Sequence, residues 1–184
     1  ADSFTGVSRG WANVSNTPFR EYKHFAHEGG ISTPLIAHWP KGIDASMRGK
    51  LDHQPGHLID LMATCLDVSG IAHPKEFGGH KIQPLEGVSL QPAFHAKKLG
   101  RKDALYFDHH LNGAIRDDQW KLVRYGQTGR EASVRAWELY DMEKDRSETN
   151  NLANEHPEKV EELEAKWEKW AVRARVKPWP WKVN

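Results

Sequence analysis

Two groups of side chains in this sequence are of types that could do chemistry. Arg20, Lys23, His24, His27 and Glu28 crowd into nine residues and run directly into Gly29 and Gly30. Lysine supplies a point charge that meets a sulfate or phosphate oxygen, and histidine donates a hydrogen bond or moves a proton near neutral pH. Such a set could bind an anion, although composition alone favours an ordinary solvated loop. The second group is Asp108, His109 and His110, just ahead of Asn112. It falls at the end of an expected strand, where adjacent side chains face opposite ways. His109 and His110 therefore cannot both serve one site if the strand runs through them. Their spacing fits no defined zinc pattern and no cysteine assists, so surface histidine is the plainer expectation.

Two further candidates read as structural. Asp141, Glu143, Asp145 and Glu148 alternate as calcium ligands do, but the turn glycine and the closing glutamate of an EF-hand loop are missing, which leaves a turn before a helix. Cys65, the single cysteine, is expected to be buried packing and not a nucleophile.

The elements that would position these groups follow from pattern. Residues 1–33 are rich in Gly, Ser, Thr and Asn and read as loop. Pro34 to Pro40 is a short apolar run closed by prolines, as a buried strand would be. Leu58, Leu61, Met62, Cys65 and Leu66 recur on one helical face between His57 and Val68, and Gly70 stands where that helix would stop. Residues 71–103 read as loop, with a short helical turn near Val88 to His95. Strand composition marks Ala104–His109, Ala114–Arg124 and Ala136–Tyr140, and their short connections predict an antiparallel meander. Pro157 fits a first helical residue, after which Val160, Leu163, Trp167, Trp170 and Ala174 repeat at helical spacing, so a long helix is expected to cover one face of the sheet. Pro178 to Trp181 would end it on the surface.

The chain has 184 residues, enough for one compact domain with a core. Mean hydropathy is low at -0.74, but eight Trp, six Phe and four Tyr can bury much surface. Lys and Arg number 26 against 25 Asp and Glu, so no net field argues for nucleic acid or an anionic membrane. A lone cysteine excludes an internal disulfide, and no apolar run is long enough to span a bilayer.

The run Asn16-Thr17-Pro18-Phe19-Arg20-Glu21-Tyr22-Lys23-His24-Phe25-Ala26-His27-Glu28-Gly29-Gly30, with Ile31 to Ile36 after it, resembles the arylsulfatase family, in which a lysine stands five residues before Glu-Gly-Gly and ahead of Pro-Leu-Ile. Similar segments follow in the same order: His57 to Thr64, Leu85 to Leu90, Ala114 to Val123 and Glu138 to Asp141. Resemblance covers nearly all of residues 10–175. It implies an α/β, alkaline-phosphatase-like fold, with residues 1–103 as the last part of the large α/β domain and residues 104–184 as a C-terminal subdomain of antiparallel sheet and helix.

It also implies hydrolysis of a sulfate monoester by a hydrated formylglycine with a calcium ion, Lys23 contacting a sulfuryl oxygen and His109 and Asn112 lining the substrate entrance. Gly113 departs from the pattern, since arginine is common there. The Cys/Ser-x-Pro/Ala-x-Arg run that yields formylglycine is absent, Cys65 being followed by Leu66-Asp67-Val68-Ser69, and nothing near Asp2 resembles the metal-binding pair. The expectation is a sulfatase fragment, inactive alone, whose partner is an N-terminal catalytic part of the same protein and whose own residues bind no metal. A periplasmic or extracellular location follows from the resemblance. The alternatives are a phosphoesterase or phosphonate hydrolase of the same superfamily and a non-catalytic binding domain.

Overall fold

A computed structural model describes residue 6, residues 8–127 and residues 133–177. Asp2 and the tail at 178–181 lie outside the described residues. The chain divides into two compact units, one formed by residues 1–34 with 103–184 and the other by residues 35–102.

In the first unit, β3 (Leu105–His109), β4 (Asn112–Asp117), β5 (Trp120–Arg124) and β8 (Glu138–Asp141) form a four-stranded antiparallel sheet in that order. The expected meander is therefore present. The single strand predicted over Ala114–Arg124 is in fact the hairpin of β4 and β5, because Asp118 takes a left-handed φ of 52° and turns the chain. A polar Asp-Asp-Gln break inside an apolar run is a turn signal. β6 (Gly126–Gln127) and β7 (Ser133–Val134) make a small separate ribbon.

Side chains alternate across the sheet and give it two different cores. Ile115, Leu122 and Leu139 face α4 (Pro157–Arg173), whose Leu163, Trp167 and Ala171 are buried against them. Pro157 opens that helix as anticipated, and the Trp167 indole donates to the Phe107 carbonyl at 3.1 Å, tying helix to strand. Ala114, Val123 and Tyr140 face the other way and pack with Ala26 and Met142. The N-terminal segment thus covers the second face. It is not all loop, for it contains α1 (Arg9–Val14) and the single turn α2 (Glu28–Ile31). Asn13, Ser15 and Asn16 each bond back to a carbonyl four residues earlier, which supports α1 despite its loop-like composition.

The second unit holds α3 (Asp60–Ser69), a two-residue hairpin of β1 (Glu76–Phe77) and β2 (His80–Lys81), and short 3-10 turns at Ala45–Met47 and Gln91–His95. Gly70 ends α3 in the left-handed conformation, as the spacing predicted. Its orientation differs from expectation. Asp60 and Ala63 are the buried residues, while Leu58 is 78% and Met62 60% exposed, and Cys65 is exposed too. Asp60 anchors the helix: its carboxylate accepts from the backbone of His57 and Val88 and pairs with Arg101. A second departure is Pro34 to Pro40, which forms no strand and leaves Ile36 90% exposed. A strand exists only where its backbone groups meet a neighbouring ladder, and among the described residues none lies beside this run.

Candidate functional site

The loop that carries Lys23 is shaped by the two glycines that follow it. A Cβ on Gly29 would stand 2.2 Å from the Glu21 carbonyl oxygen, and one on Gly30 would stand 2.0 Å from that of Phe25. Only glycine lets the chain fold back this closely. The Gly29 amide donates to the Arg20 carbonyl at 2.8 Å, closing residues 20–29 into a loop with Lys23 and His24 exposed at its tip. His24 holds a left-handed φ of 93°.

Buried charge pins the base of the loop to the sheet. The Lys121 ammonium, fully buried on β5, lies 2.8 Å from Glu28 Oε1 and 2.7 Å from Glu148 Oε1. Glu148 Oε2 in turn accepts the Glu28 amide at 2.9 Å. Burial by itself would raise the Glu28 carboxyl, but the Lys121 ammonium beside it brings it below the usual range. Glu28 and Lys121 are thus structural partners of each other, and Glu148, expected in a turn, is a full member of the triad. The turn itself is as anticipated, with the Asp145 carboxylate accepting from the Thr149 and Asn150 amides.

A second network stands beside it. Arg20 Nη1 donates to Tyr140 Oη and to the Glu148 carbonyl, both at 2.7 Å, and its Nη2 donates to Tyr125 Oη at 2.9 Å. Glu138 Oε2 accepts from Tyr140 at 2.7 Å and from His27 at 3.4 Å. Arg20 and His27 therefore hold the fold, which separates them from the exposed pair Lys23 and His24 in the set that the sequence grouped together.

The loop tip meets the end of the β3–β4 hairpin. His24 Nδ1 lies 3.0 Å from His109 Nε2. β3 ends at His109, and His110 and Leu111 take left-handed φ values of 52° and 68°. That turn resolves the problem of adjacent strand residues: His110 leaves the strand and its ring meets those of both His24 and His109. Burial first, and then the neighbouring His110, His24 and Lys23, push His109 below its ordinary value. Asn112 is buried at the foot of the turn, its amide nitrogen donating to the His109 carbonyl at 3.0 Å and its oxygen accepting from the Gly126 amide at the same distance. His24, Phe25, His110, Asn112 and Gly126 line a hollow of about 300 Å³.

Lys23, His109 and Asn112 are therefore brought to one place, and His24 and His110 join them. No spacing rule could have linked His24 to residues 85 positions away, since the link runs through the Gly29 and Gly30 contacts and the Lys121 pair. Gly113 also acquires a reason. A Cβ there would lie 2.9 Å from the Trp167 ring, and the Arg124 guanidinium stacks over Trp137 and Trp167 at 4.4 and 4.5 Å, filling the region with its own cation. An ammonium and imidazoles suit an anion or a nitrogen-binding metal; calcium, which takes oxygen ligands, does not fit this donor set.

Residues 20–176 match the family described as N-sulphoglucosamine sulphohydrolase, C-terminal. An uncharacterized sulfatase of Schizosaccharomyces pombe is 30% identical over 174 residues, covering 90% of this chain and 29% of the relative. The arylsulfatase of Klebsiella aerogenes is 34% identical over 104 residues, 56% of this chain and 22% of the relative. Among solved structures, that of Ps i-CgsB superposes with a TM-score of 0.67 at 26% identity, covering 85% of this chain and 32% of that one. The chain spans less than a third of the length of each of these relatives.

Proposed function

The chain belongs to the sulfatases, as a C-terminal portion with the alkaline-phosphatase-like fold, and from that premise we propose that the intact protein hydrolyses sulfate esters, with Lys23 of this portion on the sulfuryl group and His109 in the substrate pocket. The observation that carries the proposal is the approach of Lys23 and His109, on elements far apart in sequence, beside a hollow lined by His24, Phe25, His110, Asn112 and Gly126. An exposed lysine held by a rigid loop base is a donor ready for an anion. His109, pushed below its ordinary value by burial and its neighbours, offers a ring N–H as a hydrogen-bond donor. Asn112 lines the same hollow and holds the turn that presents His109.

Calcium and formylglycine are assigned in this proposal to the remainder of the intact protein, which is also the partner of this chain. The described residues fit neither, and no step is assigned to either here. The other reading, a phosphoesterase of the same superfamily, is an outcome of the same experiment. The intact protein is assayed on nitrophenyl sulfate and nitrophenyl phosphate, and Lys23→Ala is expected to lower sulfate turnover about 10²- to 10³-fold, as loss of one oxyanion donor does elsewhere. Thermal unfolding should be unchanged. Preference for the phosphate ester, or near wild-type turnover in the variant, would refute the assignment.

A further inference from the structure

Three imidazoles, those of His24, His109 and His110, each offer one ring nitrogen, and these three nitrogens lie within 4.8 Å of one another. We propose that this cluster is a binding site for a divalent transition metal of the zinc class, held by the three histidines with a fourth position open to water on the side of the hollow. Three nitrogen ligands around a tetrahedral zinc at about 2.0–2.1 Å stand roughly 3.3 Å apart. The His24–His109 pair is already at 3.0 Å, and the three ligand nitrogens together span no more than 4.8 Å. Imidazole is the ligand that zinc, copper and nickel share, and three histidines with an open fourth position is a known zinc arrangement.

Both sides of the site are held in place before any metal arrives. His24 sits on the loop fixed by Gly29 and Gly30, and the Asn112 amide donates to the carbonyls of both His109 and His110. His24 and His110 each occupy left-handed backbone that side chains other than glycine rarely adopt, which is where strain accumulates at binding sites. Lys23 is close enough to oppose a cation, but it is exposed and screened by water. The inference does not rest on sulfate hydrolysis. It adds one consequence to it, because a metal on His109 removes that nitrogen from the substrate, so zinc should compete with the sulfate ester.

The test measures metal and needs no turnover. The intact protein, saturated with calcium and free of chelator, is dialysed against zinc chloride and the bound zinc counted. A variant carrying His24→Asn, His109→Gln and His110→Asn is expected to lose one equivalent. Asparagine is chosen at 24 and 110 because it tolerates left-handed backbone. His110→Asn alone, at an exposed position, should weaken binding tenfold or more, since even outer partners of a metal site are worth roughly 10- to 100-fold. Cobalt in place of zinc should give visible absorption of tetrahedral strength that the triple variant lacks. Equal zinc stoichiometry and affinity in the wild type and His110→Asn would overturn the proposal, whatever the sulfatase assay shows.

Discussion

At the residue scale, the motif Glu28-Gly29-Gly30 gives the loop its shape. Gly30→Ala must move the Phe25 carbonyl, which a Cβ would approach at 2.0 Å, and that carbonyl belongs to the loop presenting Lys23. The expected outcome is a loss of roughly 2–4 kcal/mol in stability, at the high end for a single substitution, together with loss of activity in the intact protein. Urea unfolding checks the first, and an unchanged midpoint would show that the loop yields freely. Lys121 is a sharper case. Its ammonium is fully buried between Glu28 and Glu148, so Lys121→Met leaves two buried carboxylates facing each other. Breaking such a set from one side costs about 3–5 kcal/mol. Adding Glu28→Gln and Glu148→Gln to Lys121→Met should restore part of the loss by removing the stranded charges, and a triple variant no more stable than the single one would show that charge is not the cause.

At the element scale, β8 carries a pH dependence into the fold. Burial alone would raise the Glu138 carboxyl, but hydrogen bonds from His27 and Tyr140 and the charge of Arg20 outweigh it and hold the group at about 2. A carboxyl depressed in the folded state adds stability that is fully present above its unfolded value of about 4.5 and is lost as pH falls toward 2. With solvent screening allowed for, about 2 kcal/mol should disappear across that window. Melting temperature measured between pH 5 and pH 2.5 should therefore fall less steeply for Glu138→Gln than for wild type.

How far these elements could be read from sequence depended on whether their signal was local. Pro157 and the Val160–Leu163–Trp167 repeat state a helix and its buried face without outside help, and Gly70 states a helix end. β4 and β5 were merged because apolar content runs through both and the turn is only Asp118 and Gln119. That Lys23 and His109 would share one site was expected through resemblance alone. His24 as a neighbour of His109 was not legible, because it depends on contacts of Gly29, Gly30 and Lys121 that no periodicity records. The pairing of Glu148 was not legible for the same reason: a glutamate in a polar turn gives no sign that its partner is a buried lysine on a strand.

At the scale of the whole molecule, the unit of residues 35–102 presents α3 with the wrong side out for a self-sufficient domain. Leu58 and Met62 are 78% and 60% exposed and Ile36 is 90% exposed, while a carboxylate, Asp60, is fully buried. Such exposed apolar groups would be buried if another structure covered this face. If that structure is the remainder of an intact sulfatase, the isolated chain should turn over no aryl sulfate even when supplied with calcium, since a lysine and histidines cannot replace a nucleophile. Replacing Leu58 and Met62 by lysine then has opposite effects in the two contexts. In the isolated chain the variant should keep its melting temperature and self-associate less, because the residues touch little there. In the intact protein, where burying each would contribute about 1.5–3 kcal/mol, the same pair should cost about 3 kcal/mol or more. Sedimentation of the chain and thermal unfolding of the intact protein measure the two effects, and equal stability of wild-type and variant intact protein would place this face in solvent.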